Sequence, residues 1–291
     1  MPPWADDSLM TPHHLQEVYA FALQAARFTV WLALLTVIFV PLERLFALRR
    51  APGRLKRAPA DVAFYFMNGI VPALILAPPF ALLATGLKLV TPQAYSEAVA
   101  ALPLWARIVA GLAVTELGGY WGHRWSHEAP LLWRFHVVHH AAEHVDWLMS
   151  SRAHPVDFVF TRICALTPLY VLGLVQPNPQ GAGFAAWLII FATIWGFFIH
   201  ANLRWRLGPL EWLVSTPAFH HWHHTNDEHR DHNYAALFPV VDRLFGTHHL
   251  PKTWPAAYGV DTPPRPAFLD QLLDPLGPVR RAPVTPEAPA S

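Results

Sequence analysis

A single cysteine, Cys164, stands in this chain of 291 residues, and it lies in an apolar run. Disulfides and thiolate metal sites are thereby excluded as organising devices, so any metal must be held by histidine or carboxylate. Charge is scarce as well: Asp, Glu, Lys and Arg make up 14% of residues against 53% hydrophobic, which departs from soluble usage and points to a membrane protein. The formal net charge of +1 gives no electrostatic case for nucleic acid, and no recognition motif for it is present. The acidic start Met1-Pro2-Pro3-Trp4-Ala5-Asp6-Asp7 lacks a basic n-region, and the first apolar run is longer than a signal h-region. That run is expected to remain as an anchor. Lysine is rare beside arginine, alanine and proline, a composition suggestive of a GC-rich bacterial genome.

What the chain has in abundance is histidine. His123 and His127 are four apart, and His136, His139 and His140 follow at offsets of zero, three and four. At about 100° per residue each set falls on one helix face. The same offsets return at His220, His223 and His224, with a lone His200 between. This repetition reads as a metal site built almost wholly from imidazole.

Residues 1–17 read as a polar lead carrying His13 and His14, both expected at the surface. Tyr19 to Leu48 is long enough to cross about 30 Å of hydrocarbon and forms the first expected span. The basic loop Arg49 to Arg57 should face the cytoplasm. Val62 to Val90 counts as a second crossing, kinked or split by Pro72, Pro78 and Pro79. Leu104 to Trp121 returns, with Glu116 deep inside it. An acid at that depth is a functional candidate: either it accepts a proton from the far nitrogen of His123, seven residues on, or it bridges two helices. Pro130 should end the helix bearing His127 and start the one bearing His136. Asp157–Val175 and Phe184–Ile199 read as a membrane hairpin turned at 176–181, and Thr216-Pro217 as a cap and first-turn proline. Eight prolines between Val260 and Ser291 predict an extended or disordered tail over 256–291. The expected fold is an all-α integral membrane protein with about four to five transmembrane helices under a cytosolic His-rich helical cap. Its domain runs over residues 18–255, with the His-rich core at 105–252. Threading the spans from the basic loop places every candidate ligand on the cytoplasmic side, in a bacterial inner membrane.

His123, His127, His136, His139, His140, His200, His220, His223 and His224 are too many for one ion and suit two. Imidazole accepts zinc, iron, copper or nickel. Hydrolytic two-metal sites usually include carboxylates, and none lies at ligand spacing, which favours iron and oxidation. His221 occupies a spacer position and is assigned to packing or ligand support. His154 is expected mainly at the membrane surface, with a place as an extra ligand or as ligand support as its alternative. His144, His229, His232, His248 and His249 are read as surface residues, and Trp133, Trp147, Trp205, Trp212 and Trp222 first as interfacial anchors.

The segments Gly119-Tyr120-Trp121-Gly122-His123-Arg124-Trp125-Ser126-His127, Phe135-His136-Val137-Val138-His139-His140, Ser151-Arg152-Ala153-His154-Pro155-Val156-Asp157, His200-Ala201-Asn202-Leu203-Arg204, Phe219-His220-His221-Trp222-His223-His224-Thr225, Asp231-His232-Asn233-Tyr234 and Asp242-Arg243-Leu244-Phe245-Gly246-Thr247 resemble the fatty acid hydroxylase / sterol desaturase superfamily. The resemblance covers roughly residues 105–252. It implies a membrane di-iron oxygenase that hydroxylates or desaturates a lipid, with the nine histidines as iron ligands and O2 as co-substrate. Zinc is a possible substitute in purified protein. Asp231 and Asn233 join Glu116, His154 and His221 as candidates for supporting the ligands. Some members place a further histidine one turn before His200, where this chain has Gly196. Electrons must come from a reductase, ferredoxin or cytochrome, since neither a dinucleotide fingerprint nor a haem-attachment motif is present. The alternatives are a non-catalytic metal-binding or transport protein and a zinc-dependent membrane hydrolase.

Overall fold

The computed structural model describes residues 12–175 and 179–277. Ten α-helices follow in order: α1 (Pro12–Phe46), α2 (Arg54–Val90), α3 (Gln93–Ala100), α4 (Leu104–Glu128), α5 (Pro130–His140), α6 (Pro155–Val171), α7 (Pro179–His200), α8 (Pro217–His223), α9 (Val240–Phe245) and α10 (Phe268–Leu273). No strand occurs among the described residues, only two isolated bridges, Ala47 with Leu203 and Thr225 with Tyr258. The chain divides into two compact units, residues up to Leu45 and residues from Phe46 onward.

Among the described residues, two helices are long and apolar enough to cross a membrane: Leu15–Phe46, with mean hydropathy 1.9, and Arg54–Val90, with mean hydropathy 2.0. A third crossing is available only if α3 and α4, bent by 107°, count as one broken span. The expected four to five spans are not reached by this measure. At 1.5 Å per residue, the 17 residues of α6 extend about 25 Å, short of the roughly 30 Å core. That helix stops where Gly173 turns left-handed at φ 65°. Among the described residues the apolar stretch counted in α7 is Ala186–His200, within a helix of 22 residues. The prolines of α2 do not divide it: Pro59, Pro72, Pro78 and Pro79 all lie within one continuous helix.

The second unit is organised by α4 against α6. Gly118 and Gly122, one turn apart, bring the two backbones together, and a Cβ at Gly118 would lie 2.2 Å from the Cys164 carbonyl oxygen. Because that obstacle is backbone, it cannot swing aside. Gly118→Ala is expected to destabilise the fold by about 1–3 kcal/mol, seen as a lowered Tm, and a wild-type melting curve would refute this packing. Beside it, Leu76, Phe80, Val99, Leu166, Leu169 and Leu188 join α2, α3, α6 and α7 in one apolar cluster.

From α2 two polar ties reach the segment before α6. Arg152 Nη2 lies 2.7 Å from Asp61, both buried, and Asn68 Nδ2 donates to the carbonyls of Ser151 and Ala153 at 3.0 and 2.8 Å. A buried ion pair adds little net stability but fixes register. Here it orients a backbone that meets the histidines.

The local signals at the other helix ends hold. α4 ends at Glu128 and α5 starts at Pro130. Thr216 caps α8, accepting from the Phe219 N–H at 3.3 Å, with Pro217 in the first turn. The lead differs from expectation, since α1 already begins at Pro12. The side chains of His13 and His14 lie outside the described residues, as do residues 1–11 and 176–178. The tail differs more. Residues 256–277 are folded, with Phe268 edge-on to Phe64 at 4.9 Å, Gln271 buried, and the Gly277 carbonyl accepting from Arg134. A few anchors dock this piece without any apolar periodicity of its own. Residues 278–291 lie outside the described residues.

Candidate metal centre

The nine histidines come together and sort into two groups. His123, His127, His136, His140 and His223 form one, and His139, His200, His220 and His224 the other; within each, the candidate ligand atoms lie within 4.8 Å of one another. The sorting follows helix geometry. On α5 the i, i+4 pair His136 and His140 stays together, while His139 crosses to the second group. At α8 the i, i+4 pair of His220 and the C-cap residue His224 belongs to the second group, and His223 crosses to the first. The groups abut where His140 and His224 stack at 4.5 Å.

Most of these rings are fixed from behind, through Nδ1. His123 donates to the Tyr234 carbonyl at 2.8 Å, His139 to the Arg152 carbonyl at 2.9 Å, His200 to the Gly196 carbonyl at 2.7 Å and His223 to the His232 carbonyl at 2.8 Å. His127 donates to Asp231 and His136 to Asp157, each at 3.0 Å. An acceptor at Nδ1 sets the tautomer and leaves the Nε2 lone pair facing inward. Inside, Nε2 of His200 lies 3.1 Å from Nε2 of His139 and 2.9 Å from that of His220, and Nε2 of His224 and His220 are 3.2 Å apart. Imidazole nitrogens about 2.1 Å from a metal and at right angles to each other stand about 3.0 Å apart. Nε2 of His127, His136 and His223 and both ring nitrogens of His140 are buried without a protein partner, so the donor set fits metal ions.

Burial, reinforced by the neighbouring imidazoles, holds His139, His140, His220, His223 and His224 well below the ordinary value of 6.5. Neutral imidazole is the form that ligates.

The supporting candidates divide. Asp231 contacts His127. His221 has no lone pair to spare: Nε2–H donates to the Ala201 carbonyl at 3.1 Å and Nδ1 accepts from the Tyr258 hydroxyl at 2.8 Å, so it clamps the backbone beside His200. Asn233, at φ 60°, donates to the Phe219 and His249 carbonyls and accepts from the His249 N–H, bracing the residue before His220. Its side chain is fully engaged away from the imidazole groups. Glu116 accepts from the Leu237 and Phe238 N–H groups at 2.8 and 2.9 Å, tying α4 to the loop before α9 rather than to an imidazole or to a second helix. His154 caps α6 through Val156 and donates to the Leu272 carbonyl, tying down the tail rather than a ligand. Trp147 and Trp222 are buried, so these two are not interfacial anchors, and Trp133, half-buried, packs 5.1 Å from His127.

Sequence reasoning missed the role of Asp157, which also accepts from Ser126 at 3.0 Å. Its position in the first turn after Pro155 concealed it, because a carboxylate there is already explained as helix-end chemistry.

A helical frame with membrane-length helices and a double polyhistidine centre defines a class of membrane metalloprotein. Residues 108–247 match the family model described as fatty acid hydroxylase. That segment, a little under half of the chain, carries a likeness to the fatty acid hydroxylase family. The chain is 33% identical over 175 residues to an ornithine lipid hydroxylase, OlsE, of Rhizobium tropici, covering 60% of this chain and 51% of that protein. It is 35% identical over 160 residues to an alkylglycerol monooxygenase of Danio rerio (55% and 34%) and 31% identical over 144 residues to that of Homo sapiens (49% and 30%). The chain thus spans about half the length of the first and about a third of the others. No solved structure matches.

Proposed function

We propose that this protein is an integral-membrane di-iron oxygenase that hydroxylates or desaturates a lipid, with the nine histidines as its ligands. The observation that carries this reading is the convergence of imidazole nitrogens into a group of five and a group of four. Iron bound there would supply O2 activation against an unreactive C–H bond. The chain's own part is to exclude water and orient the rings, through the Tyr234, Arg152, Gly196 and His232 carbonyls and the Asp157 and Asp231 carboxylates. The basic loop at Arg49 to Arg57 supports a cytoplasmic site in a bacterial inner membrane. Electrons come from an external reductase, ferredoxin or cytochrome.

The test pairs metal analysis of purified protein with the lipid profile of a deletion strain. Iron is expected in the protein, and the strain should accumulate a lipid lighter by sixteen mass units (missing a hydroxyl) or heavier by two (missing a double bond). Zinc alone with an unchanged lipid profile would end the reading.

Asp157→Asn removes the charge that holds His136 while keeping its shape. Metal affinity is expected to fall about 10- to 100-fold with the fold intact, measured by competition with a chelator. Unchanged affinity would mean that the contact has no part in metal binding.

A further inference from the structure

Four aromatic side chains form a file beside the imidazoles. Tyr234 packs against three rings of the five-membered group, 5.1 Å from His127, 5.7 Å from His123 and 5.8 Å from His223. Tyr120 lies 5.8 Å from Tyr234 and 5.7 Å from Trp121, and Trp121 lies 5.7 Å from Trp125, one turn further along α4. Tyr234 and Tyr120 are buried, whereas Trp125 is 46% exposed. The file thus runs from the metal centre to the surface. Packing alone asks only for rings, and phenylalanine would satisfy it. Tyr120 carries a hydrogen-bonded wire as well: its hydroxyl is 2.9 Å from Thr247 Oγ1, which donates at 2.8 Å to the buried carboxylate of Asp242, and Arg124 Nη1 donates to the phenol oxygen at 3.1 Å. Thr247 has one hydroxyl proton and gives it to Asp242, so Tyr120 is the donor to Thr247. The wire therefore has a fixed direction, from phenol to carboxylate. Each link is short enough for proton transfer. Burial pushes the Asp242 carboxyl up to about 6, which makes it a better proton acceptor than an ordinary carboxylate.

We infer that Tyr120 is a one-electron relay that drains the metal centre when O2 is activated there with no lipid in reach. The inference rests on the oxygenase reading above and adds a second outlet for its oxidant. An electron passes from Tyr120 through Tyr234 to the oxidant formed from O2 at the imidazole groups, which is reduced by one electron. The phenolic O–H bond breaks in the same step: its proton goes to Thr247 Oγ1, and the hydroxyl proton of Thr247 goes to Asp242. Tyr120 is left as a neutral phenoxyl radical. An external one-electron reductant restores it by an electron that enters at Trp125 and passes Trp121, while the proton returns along the same wire. Oxidising equivalents then leave by this file instead of attacking the ligand rings.

Two measurements on purified protein test the relay without turnover. In zinc-loaded protein, photogenerated tris(bipyridine)ruthenium(III) oxidises exposed indoles, and freeze-quench EPR is expected to show a tyrosyl signal. Tyr120→Phe, Thr247→Val and Trp125→Leu should each remove the same part of that signal, while the background from the exposed Tyr19 and Tyr95 persists in all three. In iron-loaded protein given hydrogen peroxide and no lipid, peptide mass spectrometry should find oxidation concentrated at Trp125, and in Tyr120→Phe shifted to Tyr234 and the histidines. A tyrosyl signal of equal size in wild type and the three variants, or oxidation of the histidines as heavy in wild type as in Tyr120→Phe, would overturn the inference. Failure of the oxygenase reading looks different: no peroxide-dependent oxidation in any variant, beside an intact signal in the zinc-loaded protein.

Discussion

Replacing His139 with alanine is expected to abolish lipid oxidation and to lower iron from about two per chain to about one, because the group it leaves holds three imidazoles where a closed site needs about four. The remaining Nε2 atoms of His200, His220 and His224 are already at ligand spacing from one another, so nothing nearby moves in to replace the lost ring. His223→Ala should be equally inactive but keep more metal, since four rings of the five-membered group remain. His223 lies 4.4 Å from His123 and 4.6 Å from His140, and its loss opens a void between them. His13→Ala should retain full activity. Purified variants assayed for iron and for oxidised lipid decide the matter. Equal activity in all three would remove the enzymatic reading together with the ligand assignment.

The histidine offsets were readable because they carry their own geometry. His136 with His140 and His220 with His224 are each one helical turn apart, and no tertiary knowledge is needed to place such a pair on one face. The division into two groups was not readable, because it depends on how α5 and α8 face each other. The same limit applies to support. Asp231 stood within a recognisable segment, whereas the Arg152 carbonyl that fixes His139 is backbone, and its position comes from the buried contact of Arg152 with Asp61, far away in the chain. Backbone acceptors leave no trace in residue identity. Glu116 was correctly marked as an acid needing a reason, yet its partners are the N–H groups of Leu237 and Phe238, which any sequence could offer. The folded tail escaped for a related reason: Phe268, Gln271 and Leu272 are single anchors, too few to make a period.

Removing the metal should do more than stop turnover. Ring nitrogens of His127, His136, His140, His220, His223 and His224 are buried with no protein partner, and each such atom costs about 1–3 kcal/mol when nothing replaces the bond. Metal-stripped protein is therefore expected to lose the ordered packing of α5 and α8 while α2 persists. Trp133 fluorescence reports the change, since its ring lies 5.1 Å from His127. Acid should deepen the effect, with a definite sign. The buried imidazoles of His139, His140, His220, His223 and His224 are held well below 6.5, whereas in the unfolded chain they regain that ordinary value. Below 6.5 the unfolded state then binds more protons, so stability falls as pH falls, by up to about 1.4 kcal/mol per group per pH unit. Above 6.5 both states are neutral at these positions and the dependence vanishes. The Tm of chelator-treated protein is thus expected to be level from about pH 8 to 7 and to drop steeply between about 6.5 and 5. Metal-loaded protein should resist until protons displace the ligands. A stripped protein that melts at the same temperature across this range would mean that these imidazoles are not buried together.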